Sequence, residues 1–448
     1  MFDLVIRGGV VVTPHGTINA DIGIENERIA ALGPELPSGK SEIDASGMTV
    51  MPGLIDIHLH FNEPGRTEWE GAATGSRAFA AGGGTLYFDM PLNSSPCTVG
   101  PHEFDAKSKA LAAASITDFA LWGGIIPGNL NALGDLAERG VVGFKAFMCD
   151  SGLPEFPRAD DLTLYEGMRA AARLGLPVAV HAESEEITKA LARRIAASER
   201  NDIPAFLESR PVLAEVEAIH RAGLLARETK CKLHIVHISS GSGVAAALEA
   251  RSLGADISIE TCPHYLMFTE EDLLRTGALL KCTPPLRAAS ERDELWAAVQ
   301  RGEVDMFGSD HSPCPPEMKQ AEDFFGIWGG IAGVQSTRSA LARKGLDPWR
   351  LAELTSANPA TRFGIRDKGT IETGQHADFE IADPVKSYTV ESSAQHQRHP
   401  ASPYLGMKLR SVTRQTIRRG QVIWSDGKIT ATTNGKLVIP QRKMKTRN

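Results

Sequence analysis

Residues 53–66 read GLIDIHLHFNEPGR. An apolar run ends in two histidines, His58 and His60, and passes at once into a Glu-Pro-Gly turn. On an extended strand, residues i and i+2 project from one face. Both imidazoles therefore address one point in space, as a metal-chelating strand requires. Two unrelated histidines on a strand have the same spacing, so the rest of the chain must decide between the readings.

Seven more short apolar runs follow: GTLYFDM (84–90), TDFALWGGI (117–125), VVGFKAFM (141–148), LPVAVHAE (176–183), KLHIVHISS (232–240), DISIETCPHY (256–265) and VDMFGSDHS (304–312). Between them lie Ala-, Leu- and Glu-rich stretches of helical character, such as EGMRAAARLG (166–175) and RPVLAEVEAIHRAGLLARE (210–228). Apolar strands separated by helices imply a parallel sheet buried on both faces. Eight such strands close a barrel, so residues 51–364 are expected to form an α/β fold of the (β/α)8 TIM-like class, with functional groups at the C-terminal strand ends.

The flanks have a different texture. Residues 1–50 and 365–448 read as short strands and turns, and VIRGGVVVTPHGTI (5–18) echoes TIRRGQVIWSDGKI (416–429). Matching hairpins at opposite ends suggest that the termini meet in one small β-sandwich domain. The final PQRKMKTRN is a polar basic tail, expected to be mobile.

Composition narrows the function. The 448 residues are 42% hydrophobic and 23% charged, as in a globular protein, and the net charge of -7 argues against a nucleic-acid binder. The six cysteines (97, 149, 231, 262, 282 and 314) form no C-x-x-C pair, so neither a disulfide framework nor a structural zinc site is expected. The N-terminus lacks a signal-peptide pattern and no apolar run suffices to span a bilayer, which points to a cytoplasmic protein without a membrane partner.

The strand ends carry the chemistry. The first ends in His58 and His60, the fourth carries Lys145, the fifth ends in His181, the sixth in His237 and the eighth in Asp310. Singly, each has an ordinary structural reading: a hydrogen-bonded histidine, or an aspartate capping the next helix. Together they converge on one barrel mouth, which packing alone does not explain. Lys145, alone, reads as a buried lysine paired with a carboxylate, or one whose head reaches the surface. As a cation it would repel metals held by four histidines. Kept neutral by burial, it can react with CO2 to give an anionic carbamate able to bridge two metals. Imidazoles with oxygen donors suit zinc, with manganese, cobalt or nickel as alternatives. His234, an odd number of residues from His237, is expected to face away and be structural.

The order HxH, Lys, His, His, Asp on one barrel resembles the amidohydrolase superfamily, and within it the cyclic-amide hydrolases. The resemblance covers essentially the whole chain, including GTIETGQHADFEIADP (369–384), where Gln375-His376 departs from the usual Lys-Asp. Dihydroorotases carry an arginine for the substrate carboxylate where this chain has Asn62, and hydantoinases usually lack the EPGR turn (63–66). HFNEPGRTEWEGAATGSRAFAAGG (60–83), ETCPHYL (260–266), KCTPPLR (281–287), SDHSPCPPEMK (309–319) and WGGIAG (328–333) resemble the allantoinase branch. Without that guanidinium the substrate is expected to lack a carboxylate, and allantoin is neutral.

The resemblance implies roles. His58, His60 and Asp310 would hold one divalent metal and His181 and His237 a second, with Lys145 as a bridging N6-carboxylysine. A hydroxide between the metals would attack the ring amide, Asp310 would shuttle the proton, and allantoin would open to allantoate. Thr283, Gly329, Ser312 and Asn93 are candidate substrate contacts, Arg66 a candidate ion-pair residue shaping the turn, and CDSGLPEFPRADD (149–161) a candidate lid. Family likeness also implies a homotetramer. The alternatives are a hydantoinase/dihydropyrimidinase-type or dihydroorotase-type enzyme, and a non-catalytic scaffold relative; the last is disfavoured because all six ligand positions are filled.

Overall fold

The structure, a computed structural model, describes residues 1–441. Most of the basic tail, from residue 442 onward, lies outside the described residues. All eight expected barrel strands form, at Leu54–Leu59, Gly84–Asp89, Asp118–Leu121, Phe144–Phe147, Val178–His181, Leu233–Ile235, Ile257–Thr261 and Met306–Phe307. Neighbours in this series pair in parallel, with Gly123–Gly124 carrying the third strand's ladder on to the fourth. The ring closes where the Asp310 N–H donates to the His58 carbonyl at 2.8 Å and Leu59 bridges His311.

Alternation along the strands sorts the core into two layers. Outward residues such as Phe144, Ala146, Val178, Val180, Leu233 and Ile235 pack beneath the helices. Inward residues, among them Ile55, Ile57, Leu86, Phe88, Trp122, Ala179 and Val236, fill the barrel floor. Trp122 satisfies its buried indole N–H on the Ile57 carbonyl at 2.9 Å. That largely apolar plug closes the barrel below the C-terminal mouth. Helix starts follow local sequence: Asp160 caps Asp161–Leu174 by accepting the Thr163 N–H, and Ser240 caps Gly241–Ser252 through the Gly243 N–H.

The two ends of the chain do meet. One nine-stranded sheet runs from the Lys408–Arg418 and Gln421–Ser425 hairpin, through Phe379–Thr389 and Thr49–Pro52, to the Leu4–Thr13 and Gly16–Glu25 hairpin. The joint is the antiparallel pairing of Ile381 with Val50. The echoing terminal sequences are thus hairpins on opposite sides of this joint. All six cysteines are buried and free. Among the described residues, no helix is long and apolar enough to cross a membrane.

Candidate active site

His58 lies near the end of the first strand and His60 just beyond it, and both Nε2 atoms face Asp310, whose Oδ1 is 3.3 Å from His58 and 3.4 Å from His60. Donor atoms of these three residues lie within 4.8 Å of one another, a cluster able to hold a metal ion. Across the mouth, His181 Nδ1 is 3.0 Å from His237 Nε2, and the His58 and His237 ring centroids are 5.3 Å apart. The lysine of the fourth strand enters the same space. Lys145 is 1% exposed, and its Nζ is a buried amine with no hydrogen-bond partner. Among the described residues no carboxylate forms an ion pair with it, which removes the ordinary paired-lysine reading. Burial, only partly offset by Glu260 and Asp310, brings its pKa down to about 8.

The structure therefore brings His58, His60, Lys145, His181, His237 and Asp310 together. Burial favours neutral imidazoles at His60, His181 and His237, most strongly at His237, where Lys145 adds to the effect. Burial alone would raise the Asp310 carboxyl, but His58 and His60 hold it well below the usual carboxylate range. Backbone strain marks two of these positions: His237 has φ +40° and Asp310 φ +45°, a left-handed conformation uncommon for non-glycine residues.

A cavity of about 320 Å³ opens above this cluster. Thr283, Gly329, Ser312 and Asn93 all line it, as do Phe147, Arg210, Lys281 and Trp328. Asn93 Nδ2 donates to Ser312 Oγ at 3.2 Å. Asn62 is fully buried and absent from the lining; its amide faces the Pro313 carbonyl at 3.4 Å. Arg66 donates to the Asn93 carbonyl and pairs with Glu155 at 2.5 Å, fastening the 149–161 segment to the first and second loops. Asp150, Ser151 and Gly152 of that segment border the cavity.

The Amidohydrolase family profile matches residues 49–430. The chain belongs to the amidohydrolase family. An allantoinase of Solibacter usitatus is 61% identical over 446 residues, spanning 98% of each chain. An allantoinase of Rubrobacter xylanophilus is 53% identical over 448 residues, 99% of this chain and 98% of its own. Among solved structures, the L-hydantoinase (dihydropyrimidinase) of Arthrobacter aurescens superposes with a TM-score of 0.95 at 33% identity, covering 98% of this chain and all of that one.

This amidohydrolase surrounds its histidines with carboxylates that strand-end positions alone do not single out. Glu260, at the end of the seventh strand, accepts from His58 Nδ1 at 2.8 Å, from His234 Nε2 at 2.9 Å and from the His237 N–H at 3.0 Å. Although burial works against it, His58 and His234 bring the Glu260 pKa down to about 2. Glu183 does the same for the fifth strand, accepting from His181 Nε2 at 2.7 Å and pairing with Arg210 at 2.5 Å. On His58 and His181 the carboxylate occupies one ring nitrogen and leaves the other facing the cluster. The local signals for them are slight: a glutamate two residues after His181, and another near the end of the short strand Ile257–Thr261.

His234 corrects the parity expectation. Its ring does not turn away: it sits inside the barrel beneath the site, stacked 6.3 Å from Trp122 and bonded to Ser258 and Glu260. The strand ends at Ile235, and the left-handed turn at His237 brings that ring back over the same interior. Alternation holds only while the backbone stays extended.

Proposed function

We propose that this amidohydrolase hydrolyses the cyclic amide bond of allantoin to give allantoate. The observation that carries the reading is the buried Lys145 amine, without a hydrogen-bond partner, beside a cavity lined by four imidazoles and Asp310. The Arg210 charge is matched by Glu183, and the Lys281 ammonium is taken up by main-chain carbonyls. A neutral ring suits such a site, and the allantoinase relatives match over nearly the whole chain.

The donor set fits a pair of divalent ions. His58, His60 and Asp310 would hold one, His181 and His237 the other, and Lys145 would join them as N6-carboxylysine; zinc suits these ligands best. In that modification the neutral amine bonds the carbon of CO2 and releases a proton, leaving an anionic carbamate. The lowered Lys145 pKa supplies the neutral amine. When bound, the ions supply Lewis acidity, polarising the ring carbonyl and lowering the pKa of water. Asp310, ionised and at the cluster's edge, accepts the proton of the attacking water on its carboxylate and returns it to the departing ring nitrogen. Thr283, Gly329, Ser312 and Asn93 orient the ring. The same reading includes a cytoplasmic homotetramer, which a light-scattering mass in solution tests.

Turnover of allantoin, hydantoin, dihydrouracil and dihydroorotate by enzyme of known metal content is the direct test. Allantoin is expected to be the best substrate, with dihydroorotate poorest; faster turnover of hydantoin than of allantoin would defeat the assignment. A second expectation concerns Glu260. Glu260→Gln keeps the shape but loses the charge that fixes His58 and His234, and should weaken metal affinity or activity about 10- to 100-fold. Metal titration against a chelator reads this, and wild-type affinity with wild-type turnover would remove Glu260 from the role.

A further inference from the structure

The cavity wall opposite the histidines is a stretch of chain with little regular structure, residues 318–330, laid against residues 278–283. Two lysines join them. Lys281 Nζ donates to the carbonyls of Phe324 at 2.6 Å, Phe325 at 3.1 Å and Ile327 at 2.5 Å. Lys319 Nζ donates to the carbonyls of Trp328 and Gly330, both at 2.9 Å, and of Ala278 at 3.1 Å. The Gly330 N–H returns to the Lys281 carbonyl at 2.8 Å, so each segment grips the other.

Burial draws the pKa of both amines down, Lys281 to about 7 and Lys319 to about 8. Each Nζ, unlike the partnerless Lys145, nonetheless faces three carbonyl acceptors. Only the ammonium, with three donors and no acceptor, can satisfy them. Here all three are taken on each lysine, and no carboxylate forms an ion pair with either among the described residues. Lys281 borders the cavity but has no N–H left for a substrate, so a direct catalytic part is excluded. The effect on the wall is selective. Between Phe324 and Gly330, five carbonyls turn toward the two ammoniums. Among the described residues, Gly329, between two of them, has no hydrogen-bond partner for its N–H or its carbonyl. Nor does the main chain of Thr283, whose side chain lies about 4 Å from where a Gly329 Cβ would stand. Both residues line the cavity.

We propose that Lys281 and Lys319 are positioning residues which, by gathering these carbonyls, leave the main chain of Gly329 and Thr283 as the free polar edge that grips the ring amide. A cyclic amide presents neighbouring N–H and C=O groups, matching an edge with one free donor and one free acceptor at each of two residues. Five converging carbonyls would repel one another without the cations, and each would lose its buried partner. The wall would then turn, and Gly329 with it. The proposal rests on the cyclic-amide reading above but not on allantoin being the preferred ring.

The test uses metal-loaded enzyme and whichever cyclic amide the wild type turns over fastest, so a wrong substrate assignment leaves it intact. Lys281→Met and Lys319→Met should raise KM about 10- to 100-fold with kcat and metal content nearly unchanged. Methylammonium added to Lys319→Ala should recover part of the lost KM. In the unliganded wild type, amide exchange should already be slow at the bonded N–H groups of residues 324–328 and 330 and faster at the free Gly329 N–H, a readout independent of whether any variant folds. Unchanged KM in both Met variants, a fall in kcat with loss of metal in place of the KM effect, or rapid exchange throughout that wild-type segment would each overturn the proposal.

Discussion

Lys145→Ala is expected to lose its metal and its turnover together, with kcat/KM falling by at least about 10⁴-fold. The size follows from what is removed at once: the Lewis acid, the water it acidifies, and the acid–base step, itself worth about 10²- to 10⁴-fold, that has no purpose without them. The alanine leaves an apolar gap where a bridging anion is required, and four imidazoles with one carboxylate supply too little negative charge to hold two dications close together. Short carboxylic acids such as acetate should enter that gap and restore part of both metal content and rate, because two oxygens on one carbon are the feature being replaced. Metal analysis alongside kinetics checks this. Full metal content with full turnover in the variant would defeat the bridging role.

Asp310→Asn should come next in size, with kcat lowered about 10²- to 10⁴-fold, the range for losing a positioned acid–base group. The amide is nearly isosteric, so the left-handed backbone at this position and the approach of His58 and His60 should survive. What goes is a carboxylate held ionised by its two histidine neighbours. An amide oxygen is also a poorer metal ligand, so metal content must be measured on the same sample. Activity near wild type with metals in place would move the proton transfer to another group.

Several links between sequence and site are legible in the chain alone. His58 and His60 share a face because strand geometry sets that at a spacing of two, and the eight apolar runs announce strands whose ends coincide. Lys145 stands out because an ammonium inside VVGFKAFM has no comfortable solvation. Other features are not legible there. Glu260 and His58 are 202 residues apart, and no local periodicity encodes their 2.8 Å contact. That His234 and His237 both face inward escapes the parity rule because alternation stops at Ile235, before the left-handed turn at His237. Asn62 occupies the position of a substrate-binding arginine in dihydroorotases, yet the structure places it outside the cavity lining, on Pro313.

By itself the sequence determined the barrel and the strand-end placement of the six polar residues at its mouth, since these depend on short-range periodicity and residue chemistry. The echoing termini suggested a shared domain, which the pairing of Ile381 with Val50 then made. Tertiary structure alone decided which imidazole nitrogen each carboxylate occupies, how Lys145 comes to lack a partner, and which peptide groups of the cavity wall stay free. Those outcomes depend on competition among buried donors and acceptors brought together from distant parts of the chain, and such competition has no address in local sequence.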